Sequence, residues 1–170
     1  GLLVFGSTGQ GDGERRVSWD GIDGNAAVIN DVGLGSIDLT DGGSALGLQL
    51  QVGADLAGSQ AVVRLYSNDG VVGVASRFSS ATLNIPQTGG SVSNKEFLPF
   101  SEFVSGGGAA ADFTKVGAIE LEITGTANID GQADIVGTVG ETNIVRDFAN
   151  FSQADLSLTK IIDNASPNIS

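Results

Sequence analysis

The sequence predicts an all-β protein, an antiparallel β-sandwich of jelly-roll-like type, with one extended strand at its C-terminal end. Three observations predict it. Apolar residues recur with a period of two in run after run, which is the pattern of a pleated strand with one face towards a core. These runs are short and recur at roughly ten-residue spacing, about nine or ten of them, separated by turn residues. Glycine is abundant at 26 residues and proline scarce at 3, so nearly every window that a long helix would need unbroken is interrupted.

The clearest run is Ala118-Ile119-Glu120-Leu121-Glu122-Ile123-Thr124. Ile119, Leu121 and Ile123 alternate with Glu120, Glu122 and Thr124, which predicts a central strand with one dry face and one wet face. Ahead of it, Leu2 to Phe5 is a short apolar strand, and a Gly-rich loop covers residues 6–13. Arg15 to Trp19 is a second strand, ended by the double Asp-Gly turn Asp20-Gly21-Ile22-Asp23-Gly24, where Gly takes positive φ and Asp bonds its own backbone. Ile37 and Leu39 predict a short strand closing at Asp41-Gly42. Leu46, Leu48, Leu50 and Val52 predict a core strand. Ala61 to Ser67 is another, with Val63 and Leu65 inward, and Asn68-Asp69-Gly70 turns the chain into a strand from Val71 to Phe78. Ala81, Leu83 and Ile85 alternate up to Pro86, which ends that strand. Phe97 to Phe103 is the densest aromatic patch and reads as extended chain entering one helical turn at Ser101 to Phe103. Ala133 to Val139 is a further strand. The predicted core holds Trp19, Leu48, Leu50, Val63, Leu65, Leu83, Phe100, Ile119, Leu121 and Ile123. Texture changes near residue 141, which divides a sandwich domain, 1–140, from a linker and extended strand, 141–170. In that tail Leu156, Leu158 and Ile162 mark the strand from Ala154 to Ile162.

Composition narrows the function classes. The net charge is −12, with no basic cluster beyond Arg15-Arg16, the opposite of what a nucleic-acid or anionic-membrane binder carries. No apolar run reaches the length of a membrane-spanning helix. Cysteine, histidine and methionine are absent, which removes disulfides, thiol nucleophiles, the usual general base and the soft metal ligands. Glu120 and Glu122 share a strand face and read as a solvated surface rather than a glycosidase pair. The loop 6–13 lacks the Gly-Lys-Ser/Thr ending of a phosphate loop and leads into a strand. The expectation is therefore a protein that is not an enzyme. The remaining candidate sites are two. Hard oxygen ligands suit Ca²⁺, and Asp20, Asp23 and Asp112 stand in turns near strand ends, where the competing reading is Asp as turn-former. Tyr66 alternates out of phase with Val63 and Leu65 and offers an exposed platform for a sugar ring, the mark of a carbohydrate-binding module as the alternative function.

Three stretches carry a family resemblance: Val17-Ser18-Trp19-Asp20-Gly21-Ile22-Asp23-Gly24, Gly33-Leu34-Gly35-Ser36-Ile37-Asp38-Leu39-Thr40, and Asp112-Phe113-Thr114-Lys115-Val116-Gly117-Ala118-Ile119. Together they resemble an exported β-sandwich domain of bacterial, often cyanobacterial, surface and matrix proteins. The tail Ala154-Asp155-Leu156-Ser157-Leu158-Thr159-Lys160, with Asp163-Asn164-Ala165-Ser166-Pro167 after it, is similar to the opening of a conserved repeat domain of large bacterial surface proteins. The resemblance implies extracellular or cell-surface display, a structural role, and one or more strands ahead of residue 2; the first residue, Gly rather than Met, accords with a chain cut from a longer one. A sandwich short of a strand would offer an open groove, and the tail strand could fill its own or a neighbour's by β-augmentation. The linker from Gly140 to Gln153 spans roughly 40 Å if extended at about 3.3 Å per residue, enough for either. The partners expected are a second copy of the chain and, on the alternative reading, a polysaccharide, with no nucleic acid and no membrane insertion.

Overall fold

The computed structural model describes residues 3–6, 13–21, 28–70, 77–90, 93–106, 108–125, 128–140, 146–147 and 157–159. The chain forms β1 (Leu3–Gly6), β2 (Gly13–Trp19), β3 (Ala45–Ala54), β4 (Gln60–Ser67), β5 (Phe78–Asn84) and β6 (Asn94–Pro99). A single 3-10 turn, Phe100–Glu102, precedes β7 (Val104–Ser105), β8 (Val116–Gly125), β9 (Asp130–Gly140), β10 (Arg146–Asp147) and β11 (Ser157–Thr159). Two antiparallel sheets pack face to face. One has the order β1-β9-β3-β6, with β10 also on β9; the other has the order β11-β2-β8-β4-β5-β7. Strands β1, β9, β3, β6 over β2, β8, β4, β5 is the jelly-roll arrangement, in which the chain crosses repeatedly from sheet to sheet.

The period-two residues meet where the sheets face each other. Leu48, Leu50 and Val52 of β3, with Ala133 and Ile135 of β9, oppose Val63 and Leu65 of β4 and Ile119, Leu121 and Ile123 of β8. Seven of the ten predicted core residues are buried, and Trp19, Leu83 and Phe100 are half-buried and packed against the rest. Phe100, Phe103 and Phe113 close one end, with ring centroids 5.1 Å apart for Phe100–Phe113 and 5.6 Å for Phe103–Phe113.

Three expectations need correction. The central strand β8 has no wet face: from Val116 to Ile123 every residue is buried, Glu120 and Glu122 included. The strand expected at Ile37 to Leu39 is a single bridge, Ile37 to Val116. Asp38 accepts hydrogen bonds from the backbone of Thr40 and Gly42, and this side-chain capture turns the backbone away from a ladder. The open groove is not found among the described residues, because each of the eight jelly-roll strands lies beside its sheet neighbours. The predicted strand from Val71 to Phe78 falls outside the described residues up to residue 76, and β5 joins Phe78 to the following run as one strand.

Candidate functional site

The outer face of the six-stranded sheet carries the densest chemistry. Alternation that turns Leu121 and Ile123 inward turns Glu120 and Glu122 outward, and antiparallel register lines up their neighbours. Ser18, Glu120, Arg64 and Ser80 form one cross-strand row; Arg16, Glu122, Val62 and Thr82 form the next. Arg64 Nη1 lies 2.6 Å from Glu120 Oε1 and 2.6 Å from Glu122 Oε2. Arg16 closes the group from β2, with Nη2 3.0 Å from Glu122 Oε2 and Nε 3.5 Å from Glu120 Oε2. Two guanidiniums and two carboxylates make a neutral quartet tying β2, β8 and β4 together. Burial pushes the Glu122 carboxyl upward, but the Arg64 hydrogen bond and the charges of Arg64 and Arg16 outweigh it and hold Glu122 below the ordinary range. Burial likewise works against the charge on Arg64, and its bonds to Glu122 and Glu120 more than restore it. A paired, hydrogen-bonded cluster of this kind fixes strand register, since a slip of one residue would strand all four charges among apolar side chains.

Tyr66 lies on the same face, one row beyond, opposite Ala118 and Phe78. It is 7% exposed and packs on the Phe78 ring at 5.4 Å between centroids. The expectation of an exposed sugar platform is thereby corrected: alternation placed Tyr66 on the outer face, but that face is covered here. Burial, with the negative charge of Glu120, pushes its phenol up to about 12. Because the raised pKa favours the neutral form in the native state, the stability it contributes is complete below pH 10 and drains away as pH climbs towards 12. Tyr66 is the sole tyrosine, so the phenolate absorbance of the native protein should titrate near pH 12 and return to about 10 in urea. A native midpoint at the ordinary value would contradict this burial.

Among the calcium candidates, Asp20 is buried and its Oδ2 accepts the Asn30 N–H at 3.0 Å. Gly33 packs so closely on the Asp20 carbonyl that any side chain there would collide with it. Asp112 accepts the Thr114 N–H at 3.0 Å and the Thr114 hydroxyl at 2.7 Å. Those bonds hold it below its ordinary range. Both act as braces of their own loops. Asp23 lies outside the described residues, and among those described no three acidic side chains converge as a metal site would require.

The edge of this sheet is the second feature. Strand β11 lies antiparallel on β2, with Ser157 opposite Ser18, Leu158 opposite Val17 and Thr159 opposite Arg16. This register puts Leu158 in line with Val17, Leu121, Val63 and Ala81, the central row of the core, and Ser157 and Thr159 in line with the polar rows. Leu156 and Ile162 lie outside the described residues. Sequence reasoning missed Arg16 and Arg64 as partners of the glutamates. The available signal was a cation at an alternate position of an otherwise apolar strand, Val63-Arg64-Leu65. No protein-family model, curated protein or solved structure matches the chain.

Proposed function

We propose that this chain is a non-catalytic, extracellular structural module of a bacterial cell-surface or matrix protein, which assembles by exchanging its tail strand between copies. The observation that carries the reading is the seat of β11 on the β2 edge, in register with both the apolar row and the polar rows. A strand that arrives from beyond β9 and β10 and matches an edge row for row is suited to donation: backbone bonds supply affinity and the apolar position sets register. Seated on its own β2, it blunts an edge that would otherwise recruit other strands. Seated on a neighbour's β2, it makes a head-to-tail contact that repeats without closing, and so a filament. The charged quartet supports this role by holding β2, the receiving strand, firmly to β8. The acidic chain keeps unassembled copies soluble.

Electron microscopy and light scattering on the intact chain, on Leu158→Asp, and on a version ending at Gly140 test the proposal. The intact chain should form concentration-dependent oligomers or filaments, and the other two should remain monomers. If all three are compact monomers of equal stability, strand donation is wrong.

A further inference from the structure

The outer face of the other sheet is built on different principles. Alternation turns Gln49 and Gln51 of β3, Gln132 and Asp134 of β9, and Lys95 and Phe97 of β6 away from the core. Register arranges them in rows: Asp134, Gln51 and Lys95 in one, Gln49 and Phe97 in the next, with Gln132 beside the bare backbone of Gly53. Phe97 is 49% exposed. Its ring lies against β3 where Gly47 has no side chain; a methyl group there would sit 2.7 Å from Cε2. One side of the ring is therefore packed on the sheet and the other is open. Beside it, Gln49 Oε1 is shielded from solvent and accepts no hydrogen bond among the described residues.

We propose that this face binds a neutral polysaccharide strand. A sugar ring presents C–H groups on its flat side, which suit the open face of a fixed aromatic ring, and hydroxyls round its rim. Side-chain amides both donate and accept, so Gln51 and Gln132 can each meet a hydroxyl in either sense. Charge selects the neutral polymer. Asp134 and Lys95 offset each other in one row and Asp130 stands at the far end of β9, so the face carries little charge within a chain of net charge −12. A polyanion would meet the repulsion of the whole molecule, and a polycation would find no cluster of carboxylates here. A second copy laid face to face would bring two strongly acidic molecules together with only Lys95 on each face to offset them. The proposal concerns the sheet opposite to the one that carries β11, so its outcome is independent of strand donation.

Affinity electrophoresis of the full chain in gels containing hydroxyethyl cellulose, galactomannan, dextran or alginate tests it. At least one of the three neutral polymers should retard the protein, and anionic alginate should not. Phe97→Leu keeps an apolar side chain over Gly47 but removes the stacking ring, and Gln51→Ala removes one amide. Phe97→Leu should weaken retardation by about tenfold, the value of roughly one good aromatic contact, and Gln51→Ala by about fivefold, the value of roughly one net hydrogen bond. Thermal melts of both variants should match the parent, so that a lost fold is not read as a lost ligand. Three results would overturn the proposal: no retardation by any neutral polymer, retardation unchanged in Phe97→Leu, or sedimentation showing a dimer that Phe97→Leu abolishes.

Discussion

Replacing Arg64 with Met is expected to destabilise the protein by about 3 kcal/mol. Arg64 touches both buried glutamates at 2.6 Å, and its loss leaves two carboxylates sharing Arg16 alone. Removing one member of a buried ion pair costs roughly 3–5 kcal/mol, because the orphaned charge keeps its desolvation penalty. The lower end applies because the Arg64 side chain is 22% exposed and water relieves part of the cost. Arg16→Met is the internal comparison. Its side chain is 39% exposed and its contacts are longer, so about 1 kcal/mol is expected, as for a surface pair. Urea unfolding followed by the fluorescence of Trp19, the sole tryptophan, measures both. A loss below about 0.5 kcal/mol for Arg64→Met would mean that the quartet is no more than a surface cluster.

Leu121→Ala is expected to cost a further amount of the same order, about 3–4 kcal/mol, from the opposite face of the same strand. Leu121 is fully buried between Val17 of β2 and Val63 of β4. Both flanking strands are held in place by their own ladders and by the quartet, so the cavity cannot collapse, and the cavity penalty adds to the lost transfer energy. For a domain of this size that is a fall of about 10 °C in melting temperature. Calorimetry showing a fall of only one or two degrees would place Leu121 outside the rigid part of the core.

These two residues also mark what the sequence can and cannot say. Leu121 was legible because its neighbours at two-residue spacing are Ile119 and Ile123, and a period needs no knowledge of other strands. The sandwich followed from the same rule applied to Leu48, Leu50, Val63 and Leu65. The fate of Glu120 and Glu122 was not legible. Alternation states that they share a face with one another and not with Leu121, but it does not state what that face meets. Their partners lie far along the chain, and only strand order brings them in. Tyr66 failed for the same reason: its phase was read correctly and its burial was not. Ile37 to Leu39 failed for a local reason, the capture of backbone N–H groups by Asp38. The alternation in the tail was visible, whereas its seat on β2 depends on a pairing that no short window contains.

The contact between Arg16 and Glu122 spans 106 residues of chain, and this has a consequence for synthesis. The hairpin β4–β5 pairs strands close in sequence and can form soon after it emerges, but β1 and β2 find their partners only in β9, β8 and β11, the last of these strands to appear. At about 5–20 residues per second, β2 waits roughly 5–20 s with Val17 and Trp19 uncovered. Non-local pairing of this kind also makes folding slow once the chain is complete, on the scale of milliseconds to seconds. Any event that halts or cuts the nascent chain before β8 therefore leaves β1 and β2 with free edges and the apolar side chains of Val17 and Trp19 uncovered, and those fragments, rather than the finished protein, are where aggregation should begin.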